Sequence, residues 1–259
     1  MPWLGEGFGV KMGRIVCWFS CGAASAVATK LALTRYAGHE IVIARCKIDE
    51  EHEDNERFTA DCEKWFGQSI LTLTSEKYGS SIVNVFDKRG YMSGIHGAPC
   101  TLHLKKEVRI EFQLPADKHV FGYTYDPKDM DRWDAFIDSN NIDAVSPLIE
   151  RYISHSDCLA MVASAGIELP EMYKLGYHHN NCIGCVKSGG GGYWNKVRKD
   201  FPLVFQARSE QSRRIGARLI KYGKDRLFLD ELPLDYGNYQ EEPEIQCGIF
   251  CEMAKKEYE

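Results

Sequence analysis

Small residues and two hydroxyls follow an apolar run near the start of the chain, in the stretch Trp18–Ser25 (WFSCGAAS). Small side chains let an anion approach backbone N–H groups closely, and a helix N-terminus presents such groups with a favourable dipole. Ser20 and Ser25 add hydroxyl donors. The turn therefore predicts a phosphate-binding site. The alternative is a tight turn in which Ser20 or Ser25 only caps the helix.

Paired cysteines are the second feature that could do chemistry. Cys182 and Cys185 form a C-x-x-C pair, whose spacing lets two thiolates bind one metal or cluster, or form a redox disulfide. Cys247 and Cys251 lie near the end of the chain. A nucleophilic thiolate at Cys247 and a structural or cluster-ligating pair are both open interpretations.

Composition narrows the class of protein. The 259 residues carry a formal net charge of -5, which argues against sequence-blind wrapping of nucleic acid but leaves a local basic patch open. The sequence has neither an apolar run long enough to span a bilayer nor a signal-peptide pattern, so we expect a cytoplasmic protein without membrane contact. Reducing cytosol favours metal or redox roles for paired cysteines. Cysteines within apolar runs should instead pack as small hydrophobes: Cys17, Cys46, Cys62 and Cys158.

Alternating strand and helix patterns predict an α/β fold with a doubly wound, mostly parallel, Rossmann-like sheet. Predicted strands lie at 14–20, 40–48, 69–75 and 119–124, with a short apolar segment at 144–150. Ser154 and Asp157 form a capping-box pattern before a helix. Turns, cysteines and glycines dominate from about residue 167, and the basic stretch 213–226 predicts a further helix.

The residues Ser20–Ser25 (SCGAAS) resemble the PP-loop, Ser-Gly-Gly-x-Asp-Ser, of the adenine-nucleotide α-hydrolase superfamily. Ser20, Gly22 and Ser25 match, whereas Cys21 and Ala24 depart from the pattern. Because Ala24 removes the acidic residue, the loop is most similar to the phosphoadenosine phosphosulfate (PAPS) reductase-like branch. The resemblance implies a nucleotide-binding loop made of Ser20, Cys21, Gly22, Ala23 and Ser25.

Three later segments, 49–67, 97–106 and 146–185, are similar to further family segments and occur in the family's order. They imply that Asp49 contacts the ribose or base of the nucleotide. Lys105 is the lysine of the second segment, and it and Arg132 are the cations expected beside the phosphate or sulfate. The chain is thus expected to divide into a PP-loop nucleotide-binding α/β domain, 1–166, and a cysteine-containing, helical C-terminal region, 167–259, packed on the same domain.

The same resemblance implies roles for the cysteines. Cys100 lies where cluster-bearing relatives have two adjacent cysteines, so it is expected to join Cys182 and Cys185 as ligands of a [4Fe–4S] cluster or, alternatively, of zinc. The fourth ligand would be Cys251, or the iron would stay open. The tail EIQCGIFC is similar to the reductase tail that carries the attacking cysteine, which makes Cys247 the expected nucleophile with Lys105 as the cation that assists it.

Three functions follow as hypotheses. The first is a PAPS reductase-like enzyme of sulfur metabolism, which reduces PAPS or adenylyl sulfate to sulfite with electrons from a thioredoxin-like partner. The second is an ATP-dependent iron–sulfur sulfurtransferase that modifies nucleic acid. The third is a non-catalytic nucleotide-binding accessory protein, such as one from a phage or mobile element. A homodimer is the expected assembly.

Overall fold

A computed structural model describes residues 13–94 and 97–242. Five of its strands form one parallel sheet in the order β3-β2-β1-β4-β5. The strands are β1 (Ile15–Trp18), β2 (Ile41–Cys46), β3 (Leu71–Leu73), β4 (Lys118–Val120) and β5 (Asp143–Val145). The strand order reverses between β1 and β4, and in open parallel sheets such a switch point leaves a crevice beyond the carboxyl ends of the strands.

Helices cover both faces of this sheet. In chain order they are α1 (Ala23–Arg35), α2 (Asp54–Phe66), α3 (Ile82–Arg89), α4 (Pro99–Thr101), a π-helical segment (Leu102–Lys106), α5 (Glu107–Phe112), α6 (Pro127–Ser139), α7 (Pro147–Glu150), α8 (His155–Ser164), α9 (Glu171–Lys174), α10 (Gly191–Asp200) and α11 (Pro202–Ile215). Two 3-10 turns follow, at Leu229–Glu231 and Tyr239–Glu241.

The alternation along β1 shows how the two faces are filled. Ile15 and Cys17 belong to a cluster with residues of α1, α2 and α8, whereas Val16 and Trp18 pack with residues of α5 and α6. All four β1 side chains are buried, which explains the unbroken apolar run in the sequence. The prediction of an α/β fold with a parallel sheet is confirmed.

The structure adds local detail to the sequence predictions. Segment 144–150 divides into the end of β5 and the helix α7, because Pro147 can start a helix but cannot continue a strand ladder. The stretch between β3 and α4 contains α3, whose N-cap Ser81 accepts a hydrogen bond from the Asn84 N–H. The predicted capping box is present, with Ser154 bonded to Asp157 at the start of α8.

The predicted basic helix over 213–226 is wrong. α11 ends at Ile215, because Gly216 has φ +81° and stops the helix in the left-handed region. An antiparallel hairpin follows, formed by β6 (Ile220–Tyr222) and β7 (Asp225–Leu227). β-Branched and aromatic residues in 220–222 favour a strand locally, a signal that the run of basic residues obscured.

The C-terminal region packs against the first part of the chain. One hydrophobic cluster contains Ile48, Phe86 and Leu104 together with Trp194 and Ile220. In the two ranges that the structure describes, we find no helix with both the length and the apolar character that a membrane span requires.

Candidate nucleotide site

A cavity opens at the carboxyl ends of β1 and β4, beside the N-terminus of α1. The cavity has a volume of ≈ 100 Å³ and is open to solvent on one side. The residues that line it are Trp18, Ser20, Gly22, Ala24, Ser25, Glu51, Lys105, Phe121, Gly122, Tyr123, Asp129, Arg132, His155, Tyr173, His179, Asn180, Asn181 and Cys182. Parts of the chain that are distant in sequence thus meet at one place.

The small-residue turn forms one wall of this cavity. Gly22 is the N-cap of α1 and makes no side-chain cap hydrogen bond, so neither serine caps the helix. The Ser25 hydroxyl accepts a hydrogen bond from the Ser20 N–H (3.0 Å) and donates one to the Gly22 carbonyl (2.9 Å), which holds the turn closed. Within the described residues, the N–H groups of Gly22, Ala24 and Ser25 have no intramolecular acceptor. The turn therefore offers three donors to an anion.

Cys21 adopts a conformation that side chains rarely take, with φ 57°. Its side chain is buried, and its Sγ lies 3.4 Å from the Thr59 hydroxyl. Burial raises the pKa of this thiol to about 12, with Glu51 adding to the effect. Cys21 therefore serves as a packed side chain in the turn, not as a thiolate.

Gly122 follows β4 and lies directly against the turn. A Cβ atom at this position would come within 2.7 Å of the Ser25 nitrogen and 2.8 Å of the Ser25 Cα. Contacts that short do not occur between real side chains and backbone, so only glycine permits the approach. The close contact fixes the distance between the end of β4 and the N-terminus of α1.

A buried polar network supports the turn from behind. The Asn180 amide nitrogen donates to the Cys21 carbonyl (2.7 Å) and to the Asn55 side-chain oxygen (2.6 Å). Asn55 in turn donates to Glu51 (3.0 Å), and Arg45 donates to the Thr59 hydroxyl (2.9 Å) while lying 3.6 Å from Glu51. Asn180 thereby ties the region after residue 167 to the turn that follows β1.

Of the acidic residues that follow β2, Glu51 lines the cavity. Asp49 is exposed and is not among the lining residues. Burial raises the pKa of Glu51, and the nearby Lys105 and Arg45 oppose that rise. Since both residues directly follow the same strand, the sequence located the segment but not which acidic side chain turns inward. The expected contact of Asp49 with the nucleotide stays a prediction.

Two expected cations, Lys105 and Arg132, line the cavity. Lys105 lies in the π-helical segment, where one extra residue per turn changes the direction of the side chains, and such bulges are frequent at functional sites. Arg132 is held by Asp129, whose Oδ1 accepts its hydrogen bond at 2.5 Å, while Asp129 Oδ2 accepts from the Thr124 N–H and hydroxyl. The guanidinium also lies over the Tyr123 ring. This support fixes the Arg132 side chain at the cavity.

Two imidazoles and a tyrosine complete the wall, and sequence reasoning did not select them. The rings of His155 and His179 are 4.9 Å apart, and His155 also contacts Tyr173. The Tyr173 hydroxyl accepts hydrogen bonds from the N–H groups of Ala23 and Asn180, and burial raises its pKa to about 12. His155 begins α8, so the capping box could have pointed to its position; the other two carried no local signal.

The expected cysteine ligands are only partly assembled in the described residues. Cys182 lines the cavity, and Cys100, Cys182 and Cys185 all pack in one hydrophobic cluster within electrostatic range of the buried Arg208. Across 13–94 and 97–242, however, no three His, Cys, Asp or Glu side chains are arranged to hold a metal ion. The expected roles of Cys100, Cys182 and Cys185 as metal or cluster ligands therefore stay predictions.

Cys247 and Cys251 lie outside the described residues. Their roles as nucleophile and ligand stay predictions. The four cysteines expected to pack as hydrophobes are buried, and burial raises the pKa of Cys17, Cys46 and Cys158 to about 12. The candidate chemical thiols are therefore confined to Cys100, the C-x-x-C pair and the tail.

Comparison of the chain with models of known protein families gives no match, and comparison with curated proteins gives none either.

Proposed function

We propose that this protein binds an adenine nucleotide in the cavity beside α1 and acts as a PAPS reductase-like enzyme. The observation that carries the proposal is the convergence of the Ser20–Ser25 turn, Lys105, Arg132 and Cys182 on one cavity. These residues come from four separate parts of the sequence. Together they supply N–H and hydroxyl donors, two cations and a thiol.

The charges and hydrogen-bond donors at the cavity favour an anionic ligand such as a nucleotide phosphate or sulfate. Three unpaired N–H groups at the start of α1 bind a phosphate, and the dipole of this thirteen-residue helix adds to the attraction. Arg132, preoriented by Asp129, binds oxygen atoms through its fork, and Lys105 neutralises a further charge. Glu51 and Asp129 are the acidic groups that face the same space, and Asp129 is already bonded to Arg132.

The proposed reaction transfers the sulfonate group of the sulfonucleotide to a thiolate. The thiolate of Cys247 attacks the sulfur atom, a bond forms between the two sulfur atoms, and the S–O bond to the nucleotide phosphate breaks. A second thiol then attacks Cys247, which releases sulfite and leaves a disulfide. Two electrons thus pass from two thiols to sulfur, and a thioredoxin-like dithiol returns the enzyme to its reduced state.

The test compares binding with turnover. We expect wild-type protein to bind PAPS or adenylyl sulfate and to release sulfite when a dithiol reductant is present. Cys247→Ser should abolish sulfite release and leave nucleotide affinity unchanged. Lys105→Met should weaken nucleotide binding about tenfold or more, because a buried charge-assisted contact is lost.

Lys64→Met is the matched control, since Lys64 is exposed on α2 and does not line the cavity. Its affinity should equal that of wild type. Unchanged turnover in Cys247→Ser would exclude the thiol mechanism at that residue. Absence of binding for PAPS, adenylyl sulfate and ATP alike would exclude a nucleotide site.

An ATP-dependent sulfurtransferase is the second candidate, because Cys182 itself lines the cavity. In that reaction ATP adenylates an oxygen of the acceptor and releases pyrophosphate. The outer sulfur of a persulfide, formed on a cysteine by an external sulfur donor, then displaces AMP, and a second thiol cleaves the resulting disulfide to free the thiolated acceptor. The two candidates are distinguished by product. Sulfite supports the reductase, whereas AMP and pyrophosphate formed from ATP support the sulfurtransferase.

A further inference from the structure

We propose that Tyr125 and Tyr152 form a stacking platform for an unpaired base of single-stranded nucleic acid. Tyr125 lies on the loop after β4, of which Phe121 and Tyr123 line the cavity, and Tyr152 lies between α7 and α8, whose first residue His155 lines it. Neither tyrosine lines the cavity itself. The proposal is independent of the reductase chemistry.

Tyr152 is unusual in both its backbone and its exposure. Its φ is 59°, and it and Cys21 are the non-glycine residues with positive φ in the described ranges. It follows α7 at the position where a helix commonly ends on glycine, and the Ile153 N–H bonds back to the Leu148 carbonyl across it. Its side chain is 72% exposed. Glycine would suit this backbone better, so the tyrosine ring is retained at a cost to stability.

The ring of Tyr125 packs edge-on against that of Tyr152, with centroids 4.9 Å apart. Tyr125 is itself 40% exposed. Two aromatic rings at right angles leave one ring face open to solvent beside the edge of the other, and base stacking on such faces tolerates any base.

The two loops are held together, so the platform is preformed. The Tyr125 N–H donates to the Ile153 carbonyl (2.8 Å), and the His155 N–H donates to Asp126 (2.8 Å). Rigid aromatic surfaces bind with less loss of conformational entropy than mobile ones do.

The surrounding charges favour a nucleic acid backbone over an apolar peptide. The exposed cations Lys128 and Arg151 flank the two tyrosines in sequence. The carboxylates that neighbour the two tyrosines in sequence are engaged, since Glu150 pairs with Arg35 and Asp126 accepts hydrogen bonds from Thr124 and His155. A base of a small nucleotide would be enclosed in the cavity, whereas a base on this open surface suits a strand that extends beyond it.

The experiment measures the binding of short fluorescein-labelled single-stranded DNA and RNA oligonucleotides by fluorescence anisotropy at low salt. Binding of either should weaken about tenfold in Tyr152→Gly and in Tyr125→Ala. An oligonucleotide with an abasic site in place of the contacted base should bind wild type more weakly but bind Tyr152→Gly no differently from the intact strand. Tyr152→Trp should retain binding.

Tyr152→Gly separates function from folding, because glycine relieves the positive φ and should leave resistance to urea equal to or above that of wild type. Tyr222→Ala is the matched control, since Tyr222 is 43% exposed and also contacts a second tyrosine ring, that of Tyr236, but lies in the β6–β7 hairpin. Its oligonucleotide affinity should not change.

Three results would overturn the proposal. They are absence of binding to both oligonucleotides, equal affinities in wild type and Tyr152→Gly, and an equal loss in Tyr222→Ala. A loss of PAPS, adenylyl sulfate or ATP affinity in Tyr152→Gly without a loss of oligonucleotide affinity would assign the platform to the small nucleotide instead. If Tyr152→Gly binds PAPS, adenylyl sulfate or ATP as wild type does, the proposed function is not contradicted. This holds whether or not the variant binds the oligonucleotides.

Discussion

Cys21 is the residue at which backbone conformation and binding are most directly linked. Its φ is positive, and the residues that follow it, Gly22, Ala24 and Ser25, line the cavity. Its carbonyl is held by Asn180, which keeps this conformation in place. We therefore expect the φ angle of Cys21 to affect binding at the N–H groups of Gly22, Ala24 and Ser25.

Two substitutions at Cys21 should therefore differ in their effect on nucleotide affinity. Cys21→Gly keeps access to positive φ, so we expect nucleotide affinity within a few fold of wild type, although the buried thiol packing is lost. Cys21→Val should lower affinity more than tenfold and the free energy of unfolding by about 1–3 kcal/mol, because a β-branched residue is strongly disfavoured at positive φ. Calorimetric titration and urea unfolding measure the two effects. Equal binding by both variants would show that the backbone angle does not matter.

At the scale of secondary structure, the site depends on the packing of one strand end against one helix end. Gly122 after β4 approaches Ser25 of α1 so closely that no other residue fits. The π-helical segment and α6 then bring Lys105 and Arg132 to the same cavity. The elements thus determine distances that no single motif specifies.

Gly122→Ala should push β4 and α1 apart. We expect a loss of about 1–3 kcal/mol in the free energy of unfolding, as for other overpacked sites, together with nucleotide affinity at least tenfold weaker. Gly189→Ala is the control, since its new Cβ would meet only the flexible side chain of Lys221. Both variants can be compared by urea unfolding and calorimetric titration. If Gly122→Ala behaved like the control, the close approach of Gly122 to Ser25 would not be needed for binding or stability.

For the whole molecule, His119 provides a measurable link between protonation and stability. It is buried in β4, where its Nδ1 accepts a hydrogen bond from the Trp18 indole (3.0 Å). Burial, together with the charge of Arg109, lowers the pKa of His119 from 6.5 to about 4. The unfolded chain therefore binds a proton between these two pH values that the folded protein does not bind.

Stability should accordingly fall as the pH is lowered from 6.5 to 4, by about 3 kcal/mol from this residue. His119→Gln keeps an acceptor for Trp18 but does not titrate, so its free energy of unfolding should change less over the same range. Urea unfolding at several pH values measures the difference between the two proteins. Parallel pH profiles for wild type and variant would contradict the assignment.

Sequence alone was sufficient for the features that depend on neighbouring residues. The alternation of buried strands and amphipathic helices predicted the α/β fold, since both patterns are set by local periodicity. Small residues after β1 identified the turn. The resemblance of segment 97–106 to a known family singled out Lys105, and Arg132 was expected beside it; both line the cavity. The helix predicted over 213–226 failed, because composition there outweighed the stop at Gly216 and the strand preference beyond it.

Only the tertiary structure decided which distant side chains share the cavity. Glu51 lines the cavity, and His155, Tyr173, His179 and Asn180 join a turn more than a hundred residues away in sequence. Such contacts depend on how helices pack on the sheet and on close approaches such as that of Gly122 to Ser25. Local sequence patterns determine which secondary structure each segment prefers. Which segments come into contact depends on the packing of the whole chain.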